Sequence, residues 1–335
     1  MTDPNPRMHQ IVERLGSARI LVAGDLMLDE FIWGRVSRIS PEAPVPVVEV
    51  TSESYYPGGA ANVARNVREL GAATRVVGVA GADAQGDRLI ELLDAAGIDT
   101  TGVLRDPSFS TTVKTRIIAR HQQVTRVDRE RHVTLTAAQT EFVASRLEQA
   151  VDAVDAVIVA DYGKGFLSQP LADRIGRKVR GAGKILAVDP HPHTSLVWHD
   201  ATVIKPNRRE AFLEAGVAPN VPDELPLEDR PLLEAARRLQ ERWRPQSLLI
   251  TLGSRGMLLL ENQAPPRHLP AYAKDVFDVS GAGDTAISVL ALALAAGATP
   301  GEAAELANHA SAIVVGKLGT ATVTAAELAA SIARS

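Results

Sequence analysis

Residues 156–189 read AVIVADYGKGFLSQPLADRIGRKVRGAGKILAVD, and this stretch decides the fold class. It opens on a short apolar run, Ala156 to Ala160, and continues through a segment of helical period from Gln169 to Arg180. It closes on a second apolar run, Ile185 to Asp189. Short apolar runs of this kind are typical of strands buried on both faces of a parallel sheet. The stretch therefore predicts one strand–helix–strand unit.

The same alternation continues on both sides of this unit. Further strands are predicted at Ile20 to Ala23, Arg75 to Val79, Thr202 to Ile204 and Ser247 to Thr251. Further helices are predicted at Ala60 to Leu70, Gly86 to Ala96, Ala137 to Val151, Arg208 to Glu214, Leu232 to Trp243, Gly283 to Ala296 and Gly301 to Val315. The proline-rich stretch Pro219 to Pro231 is predicted to be a surface loop. This rhythm indicates an α/β protein with a mainly parallel central sheet flanked by helices.

Two segments break the rhythm, Phe31 to Tyr56 and Thr111 to Asp128. Both contain β-prone residues, and neither has the apolar stripe of a helix. Because they leave and rejoin the main body near the presumed ligand loops, we expect them to form one small inserted β-sheet that acts as a lid. We interpret residues 1–335 as a single domain that carries this lid.

Composition excludes several classes of protein. The 335 residues are 45% hydrophobic and 23% charged, which is ordinary for a globular chain with a large core. A formal net charge of −4 gives no overall reason to bind nucleic acid or an anionic membrane. No apolar run reaches the roughly 20 residues needed to cross a bilayer, and the N-terminus shows no apolar leader. The absence of cysteine excludes disulfides and fits a reducing compartment, so we expect a cytoplasmic protein.

The strongest local signal is the segment DVSGAGDT, from Asp278 to Thr285, at a strand-to-helix junction. The backbone N–H groups of Gly281, Ala282 and Gly283 can converge at the helix N-terminus, where the helix dipole favours a phosphate. Asp284 beside them could take the proton of a hydroxyl that attacks this phosphate. Taken alone, the pattern also fits a carboxylate that caps a helix after a glycine turn.

Together with GGAAN at positions 58–62, this segment resembles the two signatures of the ribokinase-like (PfkB) carbohydrate kinases, in the same order and separation. The resemblance runs from about Ile20 to Leu328. It implies an ATP-dependent kinase that uses Mg²⁺, with Asp284 as catalytic base and residues 281–283 as the anion hole. It also implies a homodimer joined through the lids. The residues that it assigns to sugar hydroxyls are Asp29, Gly58, Gly59 and Asn62.

Further stretches resemble the nucleotide side of this family. Asn207 and Glu210 have the Asn-x-x-Glu spacing that the resemblance places near magnesium-bound phosphates, with Glu210 reaching Mg²⁺ through water. Taken alone, this pair is a commonplace capping box. The other nucleotide contacts that the resemblance implies are Thr251, Gly253, Gly256, Asn308 and Ala312. Asp278 and Ser280 match a monovalent-cation site, for which K⁺ is the expected ion.

Two segments indicate which sugar is the acceptor. Residues 37–48, SRISPEAPVPVV, and residues 114–128 closely resemble segments of the kinases that phosphorylate D-glycero-β-D-manno-heptose 7-phosphate. In the second segment, the even positions would share one face of an unbroken strand and are Lys114, Arg116, Arg120, Gln122, Arg126 and Asp128. A cationic face suits a phosphorylated sugar, although a solvated lid face shows the same alternation. Asp161 and Lys164 of DYGKG, at a strand end, also resemble this subfamily's substrate side.

The resemblance implies phosphorylation of the C1 hydroxyl to a 1,7-bisphosphate, a precursor of ADP-heptose and of the lipopolysaccharide core. Two positions depart from the subfamily, which usually has lysine at the position of His191 and threonine at that of Lys205. The sequence lacks a His-x-Gly-His nucleotidyltransferase signature, so we expect only the kinase step and no nucleotidyltransferase domain. Two alternatives stay open: a PfkB kinase for a fructose phosphate or ribose, and a noncatalytic sugar-phosphate sensor on the same fold.

Overall fold

The computed structural model describes residues 5–119, 122–132, 134–221, 225–262, 264–273, 276–317 and 319–334. Within these ranges the chain forms a nine-stranded sheet and a separate four-stranded sheet. The strands are β1 (Arg19–Gly24), β2 (Leu26–Ile39), β3 (Pro46–Gly59), β4 (Ala73–Gly81), β5 (Asp99–Asp106), β6 (Thr112–Ala119), β7 (Gln122–Arg129), β8 (Ala156–Ala160), β9 (Ile185–Asp189), β10 (Val203–Ile204), β11 (Ser247–Thr251), β12 (Met257–Glu261) and β13 (Arg267–Leu269).

The large sheet has the order β13-β12-β11-β10-β9-β8-β1-β4-β5. From β5 to β11 all neighbours are parallel, whereas β12 and β13 continue the sheet as antiparallel strands at one edge. Each of the six strands predicted from apolar runs is present, and the mainly parallel α/β fold is confirmed. The antiparallel edge and β5 were not predicted.

Helices cover both faces of this sheet. They are α1 (Pro6–Arg14), α2 (Ala60–Glu69), α3 (Ala84–Ala95), α4 (Ala137–Val151), α5 (Gln169–Gly181), α6 (Arg208–Ala215), α7 (Arg230–Trp243), α8 (Ala282–Ala295), α9 (Pro300–Val315) and α10 (Ala325–Ile332). The predicted helices agree within two residues at each end, while α1 and α10 were not predicted. The prediction of a loop from Pro219 to Pro231 is wrong at its end, because Pro231 lies in the first turn of α7. In a first turn the missing N–H of proline removes no helical hydrogen bond. Among the described residues, no helix is long and apolar enough to span a membrane.

The core is divided by the sheet into two apolar clusters. Ile20 and Val22 of β1 pack into the cluster that includes α1, α2, α8 and α9. Leu21 and Ala23 point to the other side and pack with α4, α5 and α7. This alternation follows from the period of two of a strand, and it explains why β1 has no polar position between Ile20 and Gly24.

The four-stranded sheet, which we call the lid, has the order β3-β2-β6-β7. Its inner strand β2 begins two residues after β1 ends, so the lid is joined to the large sheet by a very short connection. The lid starts earlier than the predicted Phe31, because residues 26–31 already belong to β2 and are buried.

The second half of the lid corrects the prediction of one unbroken strand. β6 and β7 form an antiparallel hairpin in which Lys114 faces Asp128 and Arg116 faces Arg126, so these four residues still share one face. A register irregularity next to Ile118 then pairs this residue with Gln123 and places Gln122 opposite Ala119. Gln122 therefore lies on the other face of the lid, and Gln123 takes its expected place. Arg120 lies outside the described residues.

Candidate active site

The N-terminus of α8 coincides with the glycine-rich segment that the sequence singled out. Gly281 is its N-cap and has a φ of 80°, in the left-handed region that favours glycine. The N–H of Ala282 donates to the carbonyl of Val279 at 3.3 Å. Within the described chain, the N–H groups of Gly281 and Gly283 have no hydrogen-bond partner. Two of the three N–H groups predicted to bind an anion are therefore free to do so.

The carboxylate of Asp284 accepts two side-chain hydrogen bonds. The amide nitrogen Nδ2 of Asn62 donates to Oδ2 at 2.6 Å, and the hydroxyl of Tyr162 donates to Oδ1 at 2.5 Å. Burial raises the pKa of Asp284 to about 6, although both hydrogen bonds favour the ionised form and oppose the rise. A carboxylate with this pKa is ionised at neutral pH and still able to accept a proton. Tyr162 was not among the predicted site residues.

A buried ion pair lies beside this carboxylate. The ammonium Nζ of Lys205 lies 2.9 Å from Oδ1 of Asp189, and Lys205 is only 2% exposed. A Cβ atom added to Gly283 would lie 3.5 Å from the same Nζ, so the ammonium reaches the first turn of α8. Burial acts to lower the pKa of Lys205, but the carboxylates of Asp189 and Glu210 outweigh it and the pKa is raised. Lys205 therefore stays charged within this cluster.

The residues predicted to bind sugar hydroxyls meet where the lid joins α2. A Cβ atom on Gly58 would lie 2.8 Å from Oδ2 of Asp29, so only glycine leaves this carboxylate in place. Asp29 is 5% exposed, and its Oδ1 accepts a 2.6 Å hydrogen bond from Arg116. Gly59, with a φ of 57°, is the N-cap of α2. Asn62 is buried, and its Oδ1 has no partner among the described residues, which leaves an acceptor for a ligand hydroxyl.

The carboxylate oxygens of Asp161, which is predicted to contact the substrate, both accept hydrogen bonds from the protein. Its Oδ1 accepts from the N–H of Gly163 at 2.9 Å, and its Oδ2 accepts from the hydroxyl of Thr194 at 2.6 Å. Both oxygens therefore hold loops of the protein. Asp25, which the sequence did not single out, accepts from the N–H of Tyr162 at 2.9 Å and so fixes the segment that delivers the tyrosine hydroxyl to the site.

The predicted cations of the lid face are mostly paired with carboxylates. The pairs are Arg116 with Asp29 at 2.6 Å, Arg126 with Asp128 at 2.9 Å, and Lys164 with Glu130 at 2.7 Å. Lys114 differs, because no hydrogen bond or ion pair engages it within the described ranges. It is half-buried, and burial lowers its pKa, with the nearby charge of Lys164 acting in the same direction. An incompletely solvated ammonium without a carboxylate partner is suited to an anionic ligand.

His191 lies in the same neighbourhood. Its Nδ1 is buried without a hydrogen-bond partner, and a Cβ atom on Gly163 would lie 2.6 Å from it. The ring of His193 lies 5.3 Å from that of His191, centroid to centroid. Burial lowers the pKa of His191, and the proximity of His193, Lys164 and Lys114 lowers it further. The charges of Lys114 and Lys164 therefore act on a pair of neighbouring histidines, and these four residues form an electrostatically coupled cluster beside the lid.

A cavity of about 630 Å³ lies on the side of α8 away from the lid. Its walls are mainly apolar and include Leu252, Met257, Val276 and Val315. Six of the seven predicted nucleotide contacts line it, namely Asn207, Thr251, Gly253, Gly256, Asn308 and Ala312. Gly256 has a φ of 86°, and a Cβ there would lie 2.0 Å from the carbonyl oxygen of Leu269. The β11–β12 turn thus requires glycine to follow this wall.

Glu210, the seventh predicted contact, is tied to Asn207 by a capping box at the start of α6. Oδ1 of Asn207 accepts from the N–H of Glu210 at 3.0 Å, and Oε2 of Glu210 accepts from the N–H of Asn207 at 2.8 Å. Oε1 of Glu210 has no partner within the described ranges. The capping interpretation is therefore correct, and it leaves one carboxylate oxygen available.

A second cavity, of about 530 Å³, lies under the lid. It is lined by Phe31, Trp33, Tyr56 and Arg116 of the lid and by residues of the large body that include Arg65, Asp278 and Ser280. The segment that leads into α8 separates the two cavities, because Asp278 and Ser280 face the lid side while Val279 and Gly283 face the other.

Asp278, which is predicted to bind a monovalent cation together with Ser280, has protein partners for both carboxylate oxygens. Oδ1 of Asp278 accepts from the N–H of Ser280 at 2.8 Å, and Oδ2 accepts from the N–H of Gly319 at 3.2 Å. These bonds join the loops before α8 and after α9. In the described parts of the chain, no three or more His, Cys, Asp or Glu side chains form a group that could hold a metal ion.

Comparisons with known proteins show what this chain is similar to. The model of the pfkB family of carbohydrate kinases matches residues 17–327. Bifunctional protein HldE of Desulfatibacillum aliphaticivorans is 45% identical over 96% of this chain and 64% of its own length. Bifunctional protein HldE of Chromohalobacter salexigens is 44% identical over 94% of this chain and 63% of its own length. The chain therefore spans somewhat less than two thirds of these relatives.

Solved structures share the fold at low sequence identity. Phosphofructokinase-2 from Escherichia coli in complex with potassium superposes with a TM-score of 0.75 at 17% identity, covering 95% of this chain and 99% of that one. Arabidopsis thaliana ribokinase complexed with ribose and ATP has a TM-score of 0.71 at 17% identity, covering 94% and 98%.

Proposed function

Because this chain belongs to the pfkB family of carbohydrate kinases, and so transfers phosphoryl groups to sugar hydroxyls, we propose that it transfers the γ-phosphoryl group of ATP to a sugar phosphate. The acceptor that we propose is D-glycero-β-D-manno-heptose 7-phosphate, phosphorylated at the C1 hydroxyl. The product would be the 1,7-bisphosphate, which serves ADP-heptose and lipopolysaccharide core precursor synthesis.

The observation that carries the proposal is the position of α8 between two cavities. The cavity of about 630 Å³ has an apolar wall that suits a nucleotide base, and the cavity of about 530 Å³ under the lid has polar and aromatic walls that suit a sugar. Gly283 lines the first cavity and Ser280 lines the second, and Gly281 and Asp284 adjoin these two residues in the chain. A phosphoryl group that crosses from one cavity to the other passes this point.

The mechanism follows from these positions. Asp284 accepts the proton of the acceptor hydroxyl as its oxygen attacks the γ-phosphorus, the bond to the bridging oxygen breaks, and ADP leaves. Asn62 and Tyr162 hold the carboxylate in place while it works. The N–H groups of residues 281 and 283 stabilise the charge on the transferred group. Closure of the lid over the sugar would exclude water from the reaction.

Mg²⁺ would be held at this site chiefly by the phosphates of ATP. The described residues offer no cluster of three ligands, whereas Oε1 of Glu210 is free to hold a water of a metal ion bound to phosphates. There the ion would neutralise phosphate charge. For K⁺, oxygen donors would come from Asp278 and from the hydroxyl of Ser280, which forms no hydrogen bond within the described ranges; both residues line the cavity under the lid.

The choice of a sugar phosphate rests on the cluster beside the lid. Lys114 forms no ion pair within the described chain, and the carboxylates whose charges act on it, Asp128 and Glu130, pair with Arg126 and Lys164. The charges of Lys114 and Lys164 act on His191, whose ring lies beside that of His193. We propose that the 7-phosphate binds to these groups while Asp29 and Asn62 bind hydroxyls. The heptose itself is supported by the resemblance of residues 37–48 and 114–128 and by the similarity to the bifunctional relatives over 96% of this chain.

The test is release of ADP with D-glycero-β-D-manno-heptose 7-phosphate, fructose 6-phosphate, fructose 1-phosphate and ribose. We expect turnover with the heptose phosphate that falls about 10²–10⁴-fold in Asp284→Asn, the usual worth of a general base. Lys114→Met should raise the KM for the sugar phosphate and leave the KM for ATP unchanged. Preference for another sugar would contradict the heptose phosphate as acceptor and would leave the kinase activity in place. Binding of a sugar phosphate without turnover would indicate a sensor.

We also propose that two chains associate through their lids. Every residue of the edge strand β7 is exposed, and an unpaired strand edge with Val124 and Val127 favours association. Light scattering should then give twice the 35.6 kDa of one chain. A mass of one chain at micromolar concentration would contradict the dimer.

A further inference from the structure

The histidine pair beside the lid has no role yet in the reaction described above. Neither ring nitrogen of His191 has a hydrogen-bond partner within the described chain, and Nδ1 is buried against Gly163. His191 is partly exposed, so the ring is reached by solvent or a ligand through its other edge, which carries Nε2. A half-buried imidazole without a partner is suited to a ligand that can supply one.

Charges of both signs surround His191. Those of His193 in its own loop, of Lys164 on the loop after β8 and of Lys114 on β6 of the lid lower its pKa, whereas that of Asp25 raises it. The carboxylates nearby are those of Asp25, Asp161 and Glu130, but each is engaged. Asp25 accepts from backbone N–H groups of the 162–166 loop, Asp161 accepts from Gly163 and Thr194, and Glu130 pairs with Lys164.

This surrounding disfavours a charged His191 as long as no ligand is present. Burial would deprive an imidazolium of water, and the charges of His193, Lys164 and Lys114 disfavour it further, in opposition to the charge of Asp25. A phosphate dianion at the same place reverses the balance, because it adds two negative charges next to the ring. Binding and protonation must then favour each other, as linkage requires.

We propose that His191 takes up a proton when the phosphate of the sugar substrate binds, and that it thereby makes recognition of this phosphate dependent on pH. The inference rests on the proposed function, which places that phosphate beside Lys114 and Lys164. A lysine at position 191 would be charged before and after binding and would bind the same phosphate without proton uptake. The histidine therefore makes the site weaker in alkaline conditions and stronger in mildly acidic ones.

The KM for the sugar phosphate should respond to pH in opposite directions in two ranges. In the free protein the pKa of His191 is lowered, so the ring is neutral at pH 7.5. The bound dianion raises this pKa, and the KM for the sugar phosphate therefore falls as the pH decreases from 8 towards 6.5. Below about pH 6 the substrate phosphate itself becomes protonated and the KM rises again.

The experiment is calorimetric titration of the whole chain with the sugar phosphate at pH 7.5, in two buffers of different ionisation enthalpy. We expect uptake of a substantial fraction of one proton per site in the natural protein, and of none in His191→Lys. His191→Asn removes the titrating ring at similar size and serves if the lysine variant does not fold. His199→Gln, an exposed histidine far along the loop, is the matched control and should retain the uptake.

The outcomes separate this inference from the proposed function. Sugar-phosphate binding with equal proton uptake in the natural protein, His191→Lys and His191→Asn would overturn the role of His191 and leave the kinase intact. Absence of binding and turnover with every sugar phosphate, while unphosphorylated ribose is turned over, would overturn the phosphate site as well. A KM that falls about tenfold from pH 8 to 6.5 in the natural protein, but not in His191→Lys, would support the proposal.

Discussion

The side-chain amide of Asn62 donates a 2.6 Å hydrogen bond to Oδ2 of Asp284, although 222 positions separate the two residues in the chain. The contact joins the first turn of α2 to the first turn of α8. Two signatures that lie far apart in the sequence therefore form one site, in which the amide of the first orients the carboxylate of the second. Oδ1 of Asn62 stays available for a ligand.

Replacement of this amide should change the pH dependence of the reaction. Asn62→Ala removes a hydrogen bond that favours the ionised form of Asp284, so the pKa of Asp284 should rise above its present value of about 6. We expect the acidic limb of kcat/KM to move to higher pH. Tyr162→Phe removes the other hydrogen bond and should move the limb in the same direction. A lower kcat with an unmoved acidic limb would show that these groups act only through packing.

The predictable part of the fold was the part with strong periodicity. Buried strands such as β8 and amphipathic helices such as α5 were found from apolar spacing alone, because tertiary contacts reinforce the local pattern there. The edge strand β13 has three residues, of which one is buried, so it leaves no periodic signal. The irregularity beside Ile118 depends on pairing between β6 and β7 and is not encoded in local spacing.

The site was predictable where a residue type was unusual in its context. Asp284 follows a run of small residues and was a local signal, whereas Gly58 was assigned through the family resemblance. Asp25 and Tyr162 were not predicted, because their roles arise from contacts over 137 and 122 positions. Asp161 was placed at the correct strand end, but whether its oxygens face a ligand or the chain depends on Thr194 in another loop.

Gly58 should be sensitive to the smallest substitution. A Cβ at this position would lie 2.8 Å from Oδ2 of Asp29, which is buried and held by Arg116. Gly58→Ala should displace this carboxylate and raise the KM for the sugar about tenfold, a loss of about 1.4 kcal/mol of binding, with little effect on the KM for ATP. Gly181→Ala is the matched control, because nothing lies within 4 Å of its Cβ position. Steady-state kinetics with both substrates varied would measure the two KM values. Equal changes in both would contradict the prediction.

Removal of one member of the Lys205–Asp189 ion pair should lower the free energy of unfolding. Lys205→Met leaves the buried carboxylate of Asp189 without its 2.9 Å partner, and loss of one member of a buried pair typically costs about 3–5 kcal/mol. The free energy of unfolding in urea should fall by this order at pH 7. Adding Asp189→Asn to Lys205→Met removes the unpaired charge and should recover part of the loss. A single-variant cost below about 1 kcal/mol would show that water reaches the pair.

Asp161 should make the stability of the natural protein decline with pH. Burial raises its pKa from 3.8 to about 7, so between these values the folded state holds a proton that the unfolded state has lost. The free energy of unfolding therefore falls as the pH rises through this window, by at most about 1.4 kcal/mol per pH unit for one group. Asp161→Asn cannot ionise, and its stability relative to the natural protein should improve steadily from pH 4 to 7.

Asp155→Asn is the control for this experiment. The hydrogen bond from Arg19 lowers the pKa of Asp155, so the group is ionised in both states above pH 5. Its stability relative to the natural protein should therefore stay constant from pH 5 to 7, whereas that of Asp161→Asn changes. Urea unfolding of the three proteins at four pH values measures both trends. Parallel curves for Asp161→Asn and the natural protein would mean that Asp161 ionises normally, with Thr194 and Gly163 compensating its burial in full.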